Sequence, residues 1–312
     1  RISITEMSKA LQISRKSVKD RLLKLEKDLG ISYVPEFNET KLGFASPHLI
    51  LARFNSKPDY DEIARLFSKS YIPQLVVSMS DDSILAYAVS RTSNEYALWD
   101  KNMQINLSKY GVDWRTSEVV HRQLGFFPLR NEILERANIP EKYKKIVIAL
   151  NSNARASHNA LAKATEIHFN TLAYNLNKMR NDGYIKRFTI SMRQPDFAVL
   201  VPLFVKYSPR EGYEECAANA RKAMMSDDEY SIVSRYLISA PLIGSYDYFT
   251  LGAFDDIDVA YKKDVQYHKR TFKKHGIKIV HGKLMRILLG RLPIRSVDTR
   301  KEYNLIKWLP EE

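Results

Sequence analysis

Arg15, Lys16 and Lys19 fall in a stretch where Val18, Leu22 and Leu25 recur at spacings of four and three, so an apolar helix face lies opposite a basic one. Arginine and lysine pair with guanine O6 and N7, and the N-terminal end of a recognition helix is where base edges are met. Arg15 and Lys16 are therefore the expected base readers of this helix. A second stretch has the same spacing at Leu172, Leu176 and Met179, with other chemistry on its far side: His168 and Phe169 at its start, then Asn170, Ala173, Tyr174 and Asn177. Asparagine pairs bidentately with adenine, so the two helices are expected to read unlike bases. Ser17 and Thr171 offer hydroxyls for phosphate, and Ser14 completes the DNA-facing set. Lys186 and Arg187 fall where a wing strand would touch the backbone.

These helices need elements to position them. Sliding the chain on itself by 154 residues brings Arg1-Ile2-Ser3 onto Arg155-Ala156-Ser157, Met7-Ser8-Lys9-Ala10 onto Leu161-Ala162-Lys163-Ala164, and Leu22 onto Leu176. The register predicts a tandem duplication in which each copy opens with a helix-turn-helix. In copy one, strands are expected at 49–54, 75–79, 84–89 and 113–122, with helices at 59–69 and 94–110. In copy two, strands are expected at 198–207, 232–239, 248–253 and 278–288, with helices at 213–225 and 257–275. Each set has the order βαββαβ, the ferredoxin-like pattern of a four-stranded antiparallel sheet with both helices on one face. The bare faces of two such sheets are expected to pack against each other.

The run Arg1-Ile2-Ser3-Ile4-Thr5-Glu6-Met7-Ser8-Lys9-Ala10-Leu11-Gln12-Ile13-Ser14, followed by Arg21-Leu22, Leu25-Glu26, Gly30-Ile31 and Lys41-Leu42-Gly43-Phe44, resembles the winged-helix half of the leucine-responsive regulator (Lrp/AsnC) family. Asn153-Ala154-Arg155-Ala156-Ser157 and Asp182-Gly183-Tyr184-Ile185-Lys186 repeat the resemblance in copy two. The βαββαβ segments resemble that family's ligand-sensing (RAM-type) domain, and Gly244-Ser245-Tyr246-Asp247-Tyr248 is similar to its loop between the second and third strands. The resemblance implies an α+β chain with two winged helix-turn-helix domains, at 1–43 and 131–194, and two ferredoxin-like domains, at 44–130 and 195–289, in a tandem repeat with a C-terminal extension at 290–312.

It further implies a sequence-specific transcription regulator whose partner is double-stranded DNA, with an amino acid or similar small effector held by Gly244, Tyr246 and Asp247. Gly244 permits a tight backbone that turns N–H groups toward an anion, and Asp247 offers a carboxylate to an ammonium group. The matching turn of copy one, Ser80-Asp81-Asp82-Ser83, lacks the glycine. Copy one also lacks the helix that 141–150 supplies in copy two, so an upstream segment is expected. Family members assemble from single-copy chains, and a fused pair would act as a pseudo-dimer that further homo-oligomerisation could extend. Two alternatives stand beside the regulator: an enzyme resembling siroheme decarboxylase, which shares the two-domain architecture, and an architectural protein that coats DNA.

Composition bounds these readings. Lysine and arginine number 49 against 36 acidic residues, a net charge of +13 that favours a polyanionic partner. The excess is concentrated: residues 141–194 carry ten basic against three acidic residues and 262–312 fourteen against five, whereas 44–130 carry ten against nine. No apolar run approaches the length of a membrane span. The single Cys216 forms no internal disulfide and fits a reducing, cytoplasmic setting. Neither G-x-x-x-x-G-K-[ST], G-x-G-x-x-G nor H-E-x-x-H occurs, and His268, His275 and His281 are too loosely spaced to call a metal site. Trp99 and Trp114 are expected in the core, and the basic stretch Lys262 to Lys274 on a solvated helix face. With no His/Arg cluster visible for a tetrapyrrole's carboxylates, the sequence reading is that the chain is not an enzyme and needs no cofactor.

Overall fold

The computed structural model describes residues 4–28, 32–120, 127–192, 199–206, 236–254, 278–281 and 283–294. The chain opens with α1 (Ile4–Leu11), α2 (Arg15–Asp28) and β1 (Ser32–Phe37). Next come β2 (His48–Phe54), α3 (Tyr60–Ser68), β3 (Pro73–Met79), β4 (Ser83–Ala88), α4 (Ser93–Leu107) and β5 (Val112–Val119), in the expected βαββαβ order. Their helix starts are written locally. Asp59 accepts from the backbone N–H of Asp61 at 2.9 Å and of Glu62 at 3.1 Å, while Thr92 accepts from Glu95 N–H at 3.1 Å and the Glu95 carboxylate reaches back to Arg91 N–H at 2.8 Å. These pairs satisfy amide groups that a helix start leaves without partners.

The second half runs α5 (Asn131–Leu134), α6 (Glu141–Ser152), α7 (His158–Thr165), α8 (Phe169–Asn181), β6 (Ile185–Met192), β7 (Val199–Lys206), β8 (Tyr236–Gly244), β9 (Tyr248–Phe254), β10 (Lys278–His281), β11 (Leu284–Leu289) and β12 (Leu292–Ile294). Strands pair antiparallel as β5-β2-β4-β3 in the first half and β10-β7-β9-β8 in the second, so both halves have the same strand order. The helices expected at 213–225 and 257–275, with Cys216, His268, His275 and the basic stretch 262–274, lie outside the described residues.

Alternation along the strands sorts the side chains. Ile50, Ala52 and Phe54 of β2 join Ile63 and Phe67 of α3 and Trp99 and Met103 of α4 in one cluster, whereas Leu49 and Leu51 face the opposite way. That opposite face meets the second sheet, as expected: Phe127 lies between Tyr87 (ring centroids 4.6 Å apart) and Phe249 (6.5 Å), and Phe204 packs on Phe249 at 4.9 Å. Trp99 is buried and Trp114 half-buried, its Nε1 donating to Asp100 at 2.8 Å.

Strand ends depart from the sequence reading where the two halves join. The last strand of the first half stops at Val119, and its end pairs β8 through Ser117↔Gly244, Glu118↔Ile243 and Val119↔Leu242. β8 itself runs from Tyr236 to Gly244 because this partner extends it past the expected 232–239. The single strand expected at 278–288 is two. β10 pairs β7, then the chain crosses and β11 pairs β3, so among the described residues nine antiparallel strands join in one sheet. The 290–312 extension is not wholly separate, since β12 joins β1 and β6 in a three-stranded sheet of order β1-β6-β12. Gly290 makes the step between the sheets at φ +86°, with Gln74 O only 2.0 Å from where a Cβ would stand. Among the described residues, no helix is long and apolar enough to cross a membrane.

Candidate nucleic-acid interface

The helix-turn-helix of the second half is a packed unit. Ile146, Val147 and Leu150 of α6, Leu161 of α7, and Leu172, Leu176 and Met179 of α8 are all buried, so the inward stripe falls where its spacing put it. Ser157 starts α7 by accepting from Ala160 N–H at 3.1 Å, and Glu166 ends it in the left-handed region at φ 58°. The turn that follows leads into α8 with its other face outward. His168, Phe169, Asn170, Thr171, Tyr174 and Asn177 are exposed, Tyr174 by 65% although it is a large aromatic. Phe169 meets the His158 ring edge-on at 6.0 Å, which steadies the N-terminal end of the helix. Lys163, Lys178, Arg180 and Lys186 are exposed around this face.

In the first half α1 and α2 form as expected, and Arg15, Lys16 and Lys19 are exposed. The inward stripe is less well covered: Val18 is buried, Leu22 is half-buried and Leu25 is 45% exposed, whereas its counterpart Met179 is fully buried. The difference is the helix supplied by α6, for which no element stands over α1 and α2 among the described residues. Ser14 and Ser17 turn inward on each other. Ser14 Oγ accepts from Ser17 N–H at 3.0 Å and lies 2.9 Å from Ser17 Oγ, which makes Ser14 the N-cap of α2.

Arg187 has a different place from the one its position in the wing suggested. It stands opposite Glu36 in the β1–β6 ladder, and its Nε donates to the buried Glu36 carboxylate at 2.6 Å. It is a strut between the two halves, although its side chain stays 40% exposed, and neighbouring Lys186 is exposed as well. A second strut has no local signal in the sequence. The Arg155 guanidinium lies over the Tyr33 ring, 4.6 Å from its centroid, with Nη1 donating to the phenol oxygen at 3.0 Å. Burial pushes the Tyr33 phenol up, against the opposing pull of Arg155. Both struts join residues more than 100 positions apart, Arg187 to Glu36 within the β1–β6 ladder and Arg155, between α6 and α7, to Tyr33 of β1.

The turn at 244–247 is built for structure. Gly244 has φ +131°, and a Cβ there would stand 2.8 Å from Thr116 O, so glycine is required by the approach of β5. Tyr246 is buried against Phe204 at 4.9 Å, with its N–H donating to Ser117 Oγ at 3.0 Å. The Asp247 carboxylate takes the Lys206 ammonium at 2.8 Å, and the same ammonium donates to Gly244 O at 3.1 Å. The charge offered to an effector's ammonium group is thus met by the chain's own lysine.

Sequence reasoning missed what surrounds Tyr246. Burial raises the pKa of its phenol, against the opposing pull of Arg115 and Arg53. Arg115 is held by Asp113 at 2.8 Å and Arg53 by Asp81 at 3.4 Å. Two arginines on adjacent strands thus come together beside a buried phenol, a grouping that only the β2–β5 register creates.

Residues 141–186 match a family model described as winged helix-turn-helix DNA-binding. No curated protein matches the chain at significance. Among solved structures, siroheme decarboxylase NirDL covers 98% of this chain and 93% of its own, with a TM-score of 0.57 at 14% identity. The same enzyme in complex with an iron-uroporphyrin III analogue gives 0.56 at 13% over the same shares. An AsnC family transcriptional regulator from Agrobacterium tumefaciens covers 47% of this chain and 91% of its own at 17% identity, with a TM-score of 0.37. The likeness to NirDL, at this identity, establishes fold and not chemistry. It nevertheless corrects the expectation of a non-enzyme, because a fold shared almost end to end with a decarboxylase leaves no ground for excluding catalysis.

Proposed function

We propose that this chain is a sequence-specific DNA-binding transcription regulator. In this reading it is a tandem duplication, with winged helix-turn-helix units at 1–43 and 131–194 and ferredoxin-like sensing units at 44–130 and 195–289, and it acts as a pseudo-dimer on one duplex. The observation that carries the reading is the outward face of α8, which displays Asn170, Thr171 and Tyr174 from a fully packed helix-turn-helix inside the segment that matches a DNA-binding family model. Asn170 would pair with adenine, and Arg15 and Lys16 of the other unit with guanine. Thr171, Lys19 and Lys186 would meet phosphates. Arg187 is left out of that list because Glu36 engages it.

Two unlike reading heads held on one small sheet predict a site of two dissimilar half-sites, about 34 Å or a multiple of that apart. Genomic fragments bound by the protein are selected and sequenced, and the best is competed against bulk DNA at fixed salt. A preferred asymmetric site, weakened by Asn170→Ala together with Tyr174→Ala, is the expected result. Equal affinity for selected and bulk DNA would instead make the protein an architectural coat, and a perfect palindrome would mean that heads from two chains act together.

A second reading is favoured by Arg53, Arg115 and Tyr246 together with the end-to-end likeness to siroheme decarboxylase. Those groups suit a ligand bearing carboxylates, a tetrapyrrole among them. Titration with iron uroporphyrin, followed in the Soret region, tests it. A spectral shift lost in the Arg53→Ala, Arg115→Ala double variant supports it, and an unchanged spectrum removes it.

A further inference from the structure

Tyr174 of α8 is 65% exposed and makes no hydrogen bond, ion pair or ring contact among the described residues. The other exposed aromatic of this helix, Phe169, is held by His158. At about 100° per residue, Asn170, Tyr174 and Asn177 fall within about 60° of one another, roughly opposite the buried stripe of Leu172, Leu176 and Met179. Tyr174 thus stands at the centre of the outermost stripe, with one asparagine about a turn before it and another about a turn after. From 170 to 177 the helix rises about 10 Å, the length of about three base-pair steps. Lys178 and Arg180 of the same helix and Lys186 of β6 are exposed, a charge that fits a nucleic-acid duplex and not an apolar protein surface.

The floor of the major groove presents hydrogen-bonding groups at every base pair but a single kind of apolar group, the C5-methyl of thymine. The two asparagines suit adenine, whose partner base carries that methyl. A phenol ring set between them has its apolar edge where the methyl groups of neighbouring A·T pairs would lie.

We infer that Tyr174 makes α8 a reader of pyrimidine C5-methyl groups, so that the half-site beneath this helix consists of A·T pairs recognised through adenine edges and thymine methyls together. The inference rests on the DNA-binding reading above and adds to it the chemistry that is read. The first helix-turn-helix supplies an internal contrast. Under the 154-residue shift, Asp20 stands where Tyr174 does, and it too is exposed. A carboxylate there accepts from cytosine N4 and offers nothing to a methyl, so methyl reading at this position belongs to the second unit alone.

The full chain is titrated with its selected duplex and with copies in which each thymine in turn is replaced by deoxyuridine, which lacks only the methyl. At one or more positions within a single half-site, the replacement should weaken binding about fourfold, the effect of burying one methyl-sized group. Tyr174→Phe should keep this discrimination, and Tyr174→Ser should bind the thymine and deoxyuridine duplexes alike. The side chain is exposed, so neither variant disturbs packing. With a C·G pair at the sensitive position, tighter binding of 5-methylcytosine than of cytosine extends the reading to any C5-methyl, and equal binding restricts it to thymine. Deoxyuridine tolerated at every position overturns the inference and leaves the regulator reading standing, as does a loss that Tyr174→Ser still shows. A chain that binds no duplex, or all duplexes alike, overturns both.

Discussion

Replacing Arg187 and Lys186 one at a time separates a structural cation from its chain neighbour, the one proposed to meet a phosphate. Arg187 Nε lies 2.6 Å from Glu36, whose side chain is 8% exposed, while the arginine side chain is 40% exposed. Removing one partner of a fully buried pair costs about 3–5 kcal/mol. Solvent reaches the arginine side of this pair, so Arg187→Ala is expected to cost less, about 1–3 kcal/mol, most of it from leaving the Glu36 carboxylate without its partner. Glu36→Gln in the same chain should recover a substantial part, since it removes the uncompensated charge. Lys186→Ala should change stability little and flatten the log-log salt dependence of duplex binding by about 0.9, the contribution of one phosphate contact. Urea denaturation and DNA titration across a salt series are the two assays. If Arg187→Ala flattens the salt slope by as much as Lys186→Ala while leaving stability unchanged, the strut is not a strut and the reasoning fails.

Other consequences follow from the same geometry. His48 stacks on Tyr96 with ring centroids 3.6 Å apart, and burial holds its pKa below the usual value against the pull of Glu118 and Asp100. The folded state therefore favours the neutral ring, so stability should fall as pH drops below about 6.5, and His48→Phe should lose that part of the acid limb in melts taken at stepped pH. Phe127→Ala, at a side chain 1% exposed between the two sheets, should cost about 3–5 kcal/mol by urea denaturation. Gly290→Ala forces a Cβ into Gln74 O and a strained φ; hydrogen exchange should show β12 and the facing edge of β6 losing protection, and an unchanged pattern would mean the crossing tolerates a side chain.

Local periodicity carried much of the architecture. The spacing of Leu172, Leu176 and Met179 fixed which face of α8 is buried, and hence which residues can meet DNA, because 3.6 residues per turn leaves no other arrangement. The apolar run from Leu49 to Phe54 likewise marked β2 as a strand, whereas which of its faces meets helices and which the second sheet came from the structure. What tertiary structure alone decided depends on register between distant segments. Glu36 meets Arg187, Lys206 meets Asp247, and Arg53 and Arg115 gather beside Tyr246 only because particular strands pair at particular offsets, and a shift of one residue would turn each side chain to the opposite face. The split of 278–288 into β10 and β11 has the same origin. Every residue of that run is compatible with a strand, and which partner each half takes is set by the edges the curled sheet leaves open.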